Sequence, residues 1–414
     1  MWTKLVALSA IISITFSASN VALPYFLMYL KGELKTLNAE LLNASKVALE
    51  FGALTSTFMG TRVVIAFLSG YIAERIGMKR SVVVGLILYL VSGIWLIVTE
   101  NYWEVLVSRA LQGVASAMVW PVAESMIVEF AGGKKTRALM LYVMAFNVGM
   151  ILGPAVGGAA LQASSSLPLP VAVRVPFALL PLGALAGLLL IFKLPDVRYK
   201  TKMKVRELHA KIKSALYVFF FNAFANGFSA GIFMSVLIIY IMQYVTSVPI
   251  KLSSLVALSG LLGMALASPL MKRLDEFDFT NKLKVAIGLG LLHKLALAAV
   301  GLTKSYFILL AILTVQNFAI TVVIPLIRSL VSDLVPRELT AKVFGMQQAY
   351  FNLGMIVGPL VGAALYKWLE ASGVGGGLAF PVAAALGAAG VLTLLRVDGR
   401  EVEGMKGEPV KAEG

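Results

Sequence analysis

The chain contains no cysteine and only two histidines, His209 and His293. It therefore forms no disulfides and has no thiolate nucleophile or cysteine-ligated metal site. The two histidines provide neither a metal cluster nor a Ser-His-Asp triad. A GxxxxGKS/T phosphate loop is also missing, because the segment that begins at Gly132 lacks its spacing. We expect no enzyme activity, no metal or cofactor, and no ATP-driven transport by this chain.

Charged residues are scarce as well. They make up 14% of the 414 residues, whereas 59% belong to the hydrophobic set and the mean hydropathy is +0.87. Soluble globular proteins average about half apolar and a quarter charged residues, so a protein of the lipid bilayer is indicated. The net charge of +15 does not predict a nucleic-acid partner, because the basic residues gather between apolar stretches, as membrane orientation favours.

Twelve apolar stretches follow one another along the chain. Each is near or above the ~18 residues of a membrane-spanning helix, whereas barrel strands would be about half as long and alternating. The sequence therefore predicts an all-α integral membrane protein with twelve transmembrane helices. The stretches cover 5–30, 46–72, 81–98, 103–128, 138–161, 171–192, 214–243, 252–271, 284–302, 305–327, 341–367 and 378–395.

Basic residues indicate the orientation. With the amino terminus placed inside, 25 of the 36 Lys and Arg residues fall on the inner side and 7 on the outer side. This asymmetry predicts a multi-pass protein of the cell membrane with both termini in the cytoplasm.

The chain divides at residues 194–213, a basic polar segment that we interpret as a cytoplasmic linker. It separates a six-helix bundle at 1–193 from a second at 214–396, and 397–414 form a cytoplasmic tail. The segments 147–157 and 352–362 are identical at eight of eleven positions, and Pro121 and Ser125 recur as Pro325 and Ser329. Two pseudo-symmetric six-helix bundles in parallel orientation are therefore predicted.

Three motifs occur in order on the predicted helices. The first lies between helices 2 and 3, the second in helix 4 and the third in helix 5. They comprise Gly70, Glu74, Arg75, Gly77, Lys79 and Arg80; Arg109, Gln112 and Gly113; and Gly149, Gly153, Pro154 and Gly157. Together they resemble motifs A, B and C of the major facilitator superfamily, although Glu74 stands where Asp is usual and Ala115 where a second Gly is usual. The resemblance covers essentially the whole chain and implies secondary transport by two bundles that rock about a central substrate site, most closely as in the 12-helix drug:proton antiporters.

The first motif suits a conformational latch. Gly70 and Gly77 permit a tight turn, and Glu74 can accept hydrogen bonds at a helix amino end. By resemblance that end belongs to helix 11, which starts near Thr340. From their position in the sequence we also expect the basic residues of the motif to pair with Glu129 at the inner end of helix 4. The alternative is positive-inside anchoring alone.

The third motif suits close helix packing. Its glycines lie four residues apart on one face, and Pro154 bends the helix. Its copy in helix 11 contains Gly354, Gly358, Pro359 and Gly362. In the family this motif marks exporters, but the copy allows both to be packing surfaces between the two bundles. Import therefore remains an alternative to export.

Six ionisable residues fall within the spans, where charges are costly and usually functional. They are Glu50, Arg62, Arg109, Glu124, Lys294 and Arg328. Similar depths predict the pairs Glu50 with Arg109 and Arg62 with Glu124, with the two glutamates as proton-coupling candidates. Static ion pairs are the alternative. We expect Arg328 to reach the cytoplasm or Asp333, and Lys294 to snorkel or pair structurally.

Polar and aromatic residues of helices 1, 4, 7, 10 and 11, which by resemblance border the pathway, are candidates for the substrate cavity. They are Asn20, Tyr25, Trp120, Asn222, Asn226, Gln316, Asn317, Gln347 and Tyr350. Each could instead join helices. The sequence favours proton-coupled export of amphipathic small molecules by a monomer. Proton-coupled uptake of a small organic anion and a lipid translocator or transport-inactive receptor are the alternatives.

Overall fold

The computed structural model describes residues 1–131, 135–196, 210–271, 277–335 and 337–397. They form twelve long helices, and the predicted all-α fold is confirmed. In chain order these are α1 Trp2–Leu30, α2 Ala48–Ile76, α3 Met78–Val98, α4 Tyr102–Ala131, α5 Lys135–Ala163, α6 Leu179–Phe192, α7 Ala210–Tyr244, α8 Pro249–Met271, α9 Phe279–Ala299, α10 Tyr306–Leu334, α11 Arg337–Ala371 and α12 Ala379–Thr393.

The helices have the length and composition of membrane spans. Within the described residues, eleven helical segments are long and apolar enough to cross a bilayer, where α6 and α12 reach this length together with adjoining short helical segments, as Leu169–Phe192 and Gly376–Arg396. The remaining helix, α2, has 29 residues. The sixth stretch differs from the single helix that the sequence predicts. Short helical segments at Leu169–Ala172 and Val175–Ala178 precede α6, because Pro168 and Pro176 stand at their starts and donate no backbone hydrogen bond.

The helix ends define two faces of the protein. We call the side on which α1 begins the termini face, and the side on which α1 ends the far face. On the far face a single apolar core contains residues from both bundles, including Phe26, Leu54, Val236 and Phe380. Near the termini face one buried cluster belongs to the first bundle and another to the second. The described halves thus join at the far face and separate toward the termini face.

Pseudo-symmetry governs the packing. Within the halves α1 packs on α5, and its counterpart α7 packs on α11. Between the halves α2 packs on α11, and the symmetry-related α8 packs on α5. Most of the predicted linker, and the tail beyond residue 397, lie outside the described residues.

Candidate functional site

Glu124 lies in the opening between the two halves. It stands seven residues before the end of α4, about 10 Å from the termini face, and its side chain is exposed. Its charge interacts first with Arg328 on α10 of the other half and then with Arg62 on α2 of its own half. It also interacts with Tyr142 on α5. Interactions with both halves place this carboxylate in the gap.

Arg62 and Glu124, which the sequence predicts to form an ion pair, interact through their charges at longer range. Within the described residues no direct ion pair joins them. The carboxylate therefore remains available to the opening.

An aromatic wall adjoins this carboxylate. Trp120 lies one helical turn before Glu124, and its ring meets Phe146 edge-on at 4.8 Å between centroids. Tyr142 packs against the same indole at 6.2 Å and donates a hydrogen bond to the Trp120 carbonyl at 3.3 Å. The predicted cavity residue Trp120 is thus mostly buried, while Phe146 is half-buried.

The predicted pair between Glu50 and Arg109 is wrong. Glu50 Oε1 lies 2.5 Å from Lys31 Nζ at the far face. Glu50 is in the first turn of α2, so it remains at the membrane edge within reach of the lysine. This position removes Glu50 from the opening in which Glu124 lies.

Arg109 instead forms the centre of a buried hub. Its Nη1 donates to Asn20 Oδ1 at 2.8 Å and to Gln112 Oε1 at 2.6 Å. The guanidinium also lies over the rings of Phe58 and Phe16, with 4.9 and 5.5 Å to the centroids. Cation–π attraction compensates part of the cost of burying this charge. The predicted cavity residue Asn20 therefore joins α1 to α4.

Gly113 of the same motif is required by packing. A Cβ at this position would collide with Thr61 Oγ1 and the backbone of Phe58 on α2. The second motif thus holds α2 and α4 together beside the buried arginine.

Tyr350, Asn226 and Asn317, three candidates of the second half, make contacts within that half. Tyr350 stacks on Phe220 at 5.2 Å, and both rings are nearly parallel. Asn226 donates to the carbonyl of Asn222 at 2.8 Å, which satisfies its amide within α7. Asn317 donates to Ser259 Oγ at 3.3 Å and joins α10 to α8.

The two glutamine candidates differ in surroundings. Gln316 is buried, and its side-chain oxygen accepts no hydrogen bond from the described residues. Gln347 is half-buried on α11.

Tyr25 lies away from the opening, in contrast to its prediction as a cavity residue. It is fully buried at the far face, and its hydroxyl donates to the Ser247 carbonyl at 2.6 Å. Because Ser247 belongs to the second half, Tyr25 joins the halves.

The two cations of the second half differ in exposure. Lys294 is 4% exposed and donates to Ser229 Oγ at 3.3 Å, so of the two predicted alternatives it makes a structural contact and does not snorkel. Arg328 is exposed, with its guanidinium 6.0 Å from the Phe344 ring centre. Asp333 lies 3.7 Å from Lys282 Nζ.

The turn between α2 and α3 uses a residue that the sequence analysis missed. Gly77 has φ of +96°, and Asp196 accepts from the Lys79 amide at 3.3 Å at the start of α3. Lys79 Nζ donates to the carbonyls of Phe192 and Leu194 at 3.0 and 2.6 Å, rather than pairing with Glu129. An anion is favoured at this helix amino end. The sequence analysis did not identify Asp196 because it lies more than 100 residues from Lys79 along the chain.

The structure describes the side chains of only some of the remaining latch residues. Arg80 and Glu129 are exposed, and Arg75 also has an interaction partner. The predicted bond from the amino end of α11 to Glu74 falls on side chains outside the described part of the chain, as do the surroundings of Gly70.

Gly149, Gly153 and Gly157 and their copies pack within each half, whereas Gly158 of the same segment and Pro359 of the copy contact the opposite half, at Ser253 and Gly52. Gly149, Gly153 and Gly157 contact α1, where a Cβ on Gly157 would lie 2.1 Å from the Ala18 carbonyl oxygen. Gly354, Gly358 and Gly362 make the matching contacts with α7. Prolines 154 and 359 lie within α5 and α11. Only the adjacent Gly158 among these described glycines meets the other half, at Ser253.

Comparison with known families decides the classification. The model of the Major Facilitator Superfamily matches residues 5–359 and 219–411. The chain belongs to the major facilitator superfamily. It is a membrane transporter rather than an enzyme.

Two curated relatives are named for drug resistance. The quinolone resistance protein NorA of Staphylococcus aureus strain MRSA252 is 23% identical over 331 residues, covering 77% of this chain and 81% of NorA. Multidrug resistance protein 2 of Bacillus subtilis strain 168 is 23% identical over 335 residues, covering 76% and 79%.

Solved transporters have the same fold. The D-xylose-proton symporter has a TM-score of 0.73 at 15% identity, with 97% of this chain and 98% of that chain covered. A bacterial homologue of the human lysosomal transporter Spinster, in an inward-facing and unoccupied conformation, has a TM-score of 0.66 at 15% identity, with 95% and 94% covered.

Proposed function

We propose that this transporter exports amphipathic, drug-like cations from the cell in exchange for protons. It works by alternating access as a single chain, with both termini and the termini face in the cytoplasm. The names of the relatives support a drug-like substrate. The distribution of basic residues supports the orientation.

The observation that carries the proposal is Glu124 in the opening, beside an aromatic wall. A carboxylate can hold a proton or attract a cation, but its charge cannot serve both at once. The half-buried Phe146 offers apolar surface to the rest of an amphipathic cation, and the buried rings of Trp120 and Tyr142 pack behind it. Competition for one carboxylate therefore couples proton entry to substrate exit.

Arg328 and Arg62 make this competition reversible. Both cations act on Glu124 without being in direct contact with it. They lower the energy of the empty, ionised carboxylate and replace the substrate charge after its release. Arg328 acts from the opposite half, so the ionised site also draws the halves together.

The proposal is tested in proteoliposomes with an imposed pH gradient and ethidium as the lipophilic cation. We expect ethidium transport against protons in the wild type and its loss in Glu124→Gln. Glu104→Gln is the matched control, since Glu104 lies on the same helix, accepts from Thr99 at 2.6 Å, and is remote from the opening. Proton-linked ethidium transport that survives in Glu124→Gln would contradict the proposal. Proton-driven accumulation of a small organic anion, lost when Arg109 is replaced, would establish uptake instead.

A further inference from the structure

The loop between α1 and α2 crosses the far face from the first half to the second. We call residues 31–47 the far-face strap. Its Leu42 amide donates to the Met242 carbonyl at 3.0 Å, and its Glu40 carbonyl accepts from the Ser247 amide at 2.8 Å. Because backbone groups make these bonds, the strap follows the turn between α7 and α8 in a fixed register.

Ser247 is the centre of this contact. It is fully buried, and its Oγ donates to the Ala39 carbonyl at 2.5 Å. Its own carbonyl accepts from the Tyr25 hydroxyl, and its amide binds Glu40. One residue of the second half thus makes three hydrogen bonds to the first half.

The strap also seals the far face with apolar side chains. Leu34 and Leu37 are 4% and 2% exposed and belong to the core that both halves share. At the exposed edge, Glu40 lies 3.4 Å from Lys251. The hydrogen bonds of Ser247 are therefore shielded from water. If one of them breaks, a hydrogen bond to water does not immediately replace it.

We propose that the far-face strap is the latch of that face, and that each transport cycle releases it by breaking the Ser247 bonds to Tyr25, Ala39 and Glu40. This inference rests on the alternating access of the proposed function. Separation of the halves at the far face breaks all three bonds together, since each joins one half to the other. Loss of one such bond shifts the balance toward the open far face roughly fivefold.

The absence of cysteine makes the latch directly measurable. We would introduce Leu37→Cys as the single reporter, with Leu34→Cys as a second, and add a membrane-impermeant maleimide at the far face. We expect slow labelling that becomes roughly fivefold faster in Tyr25→Phe or Ser247→Ala, and faster again when both are combined.

Matched controls lose hydrogen bonds within the second half at the same face. Tyr240→Phe removes a bond to the Thr303 carbonyl at 2.9 Å, and Ser254→Ala removes one to Tyr306 at 2.8 Å. We expect unchanged labelling in both. Equal labelling rates in the latch and control variants would overturn the proposal.

A second experiment locks the strap. A short bismaleimide would join Glu40→Cys to Lys251→Cys, and we expect transport to stop while either single variant treated alike continues. Full transport by the cross-linked chain would overturn the latch. The labelling experiment needs no substrate, so a wild type that carries no drug would refute the proposed function without deciding the latch.

Discussion

Glu124 on α4 and Arg328 on α10 stand at equivalent positions of the two halves, 204 residues apart, and their opposite charges interact across the opening. The flanking residues identify the equivalence, since Pro121 and Ser125 recur as Pro325 and Ser329. Pseudo-symmetry thus places an acid against a base at the point where the halves separate. One half supplies the carboxylate that we propose to exchange protons, and the other supplies its counter-charge.

Reversal of both charges tests this relationship. Glu124→Arg and Arg328→Glu should each reduce transport at least tenfold, because each places like charges across the opening. The double variant restores opposite charges and should recover part of the rate, with full recovery prevented by Arg62. Transport rates in proteoliposomes check this, with reversal of the exposed Lys31–Glu50 pair as a nearly neutral control. A double variant as slow as the singles would contradict the interaction.

Glycine packing predicts where stability is lost. Gly157→Ala and Gly358→Ala should each lower stability by about 1–3 kcal/mol, because the new Cβ would lie 2.1 and 2.5 Å from backbone oxygens of α1 and α7. Gly288→Ala meets nothing within 4 Å and should not lower it. Thermal unfolding in detergent measures all three. Equal unfolding temperatures across the set would refute the packing role.

The turn at Gly77 should tolerate alanine worse than Gly32 does. Both have positive φ, which costs about 1–3 kcal/mol for other residues. Only at Gly77 would the added Cβ also collide, at 2.7 Å, with the Asp196 carboxylate. Gly77→Ala should therefore unfold at a lower temperature than Gly32→Ala. A higher unfolding temperature for Gly77→Ala than for Gly32→Ala would show that the Asp196 side chain moves aside at little cost.

Lys294 and Arg109 are both buried cations, yet we expect opposite responses to methionine. Lys294→Met should be neutral or stabilising, since it removes a buried charge whose described hydrogen bond is to Ser229 alone. Arg109→Met leaves the oxygens of Asn20 and Gln112 without their donor and should lower stability by about 1–3 kcal/mol. Thermal unfolding together with ethidium transport distinguishes them. Loss of transport in a stable Lys294→Met variant would assign this lysine a functional role.

Hydrophobic runs predicted the helices well because each span needs a long apolar segment, and those segments are local in sequence. Glu124 was also found locally, as an acid in an apolar helix. Its main partner Arg328 was not, although the 204-residue repeat offset contained the signal. The pairing was missed because depth alone cannot show which helix faces which.

Contacts with partners that residue type does not reveal account for other errors. From the sequence, Tyr25 is a polar aromatic residue in a helix expected to border the pathway. In the structure its hydroxyl donates to the Ser247 carbonyl in the turn after α7, at the far face. Glu50 and Arg109 share a similar depth, yet Lys31 lies nearer to Glu50, and Arg109 Nη1 donates to the neutral amides of Asn20 and Gln112. Neither a carbonyl acceptor nor a loop lysine can be matched to its partner from residue types.

The shared apolar core of the far face has a thermodynamic consequence. A conformation that opens this face must hydrate residues such as Leu37 and Val236, and hydration of apolar surface raises the heat capacity. The hydrophobic attraction that holds this face closed weakens on cooling. Under the alternating access that we propose, temperature therefore acts on the balance between the two conformations, even when no substrate is bound.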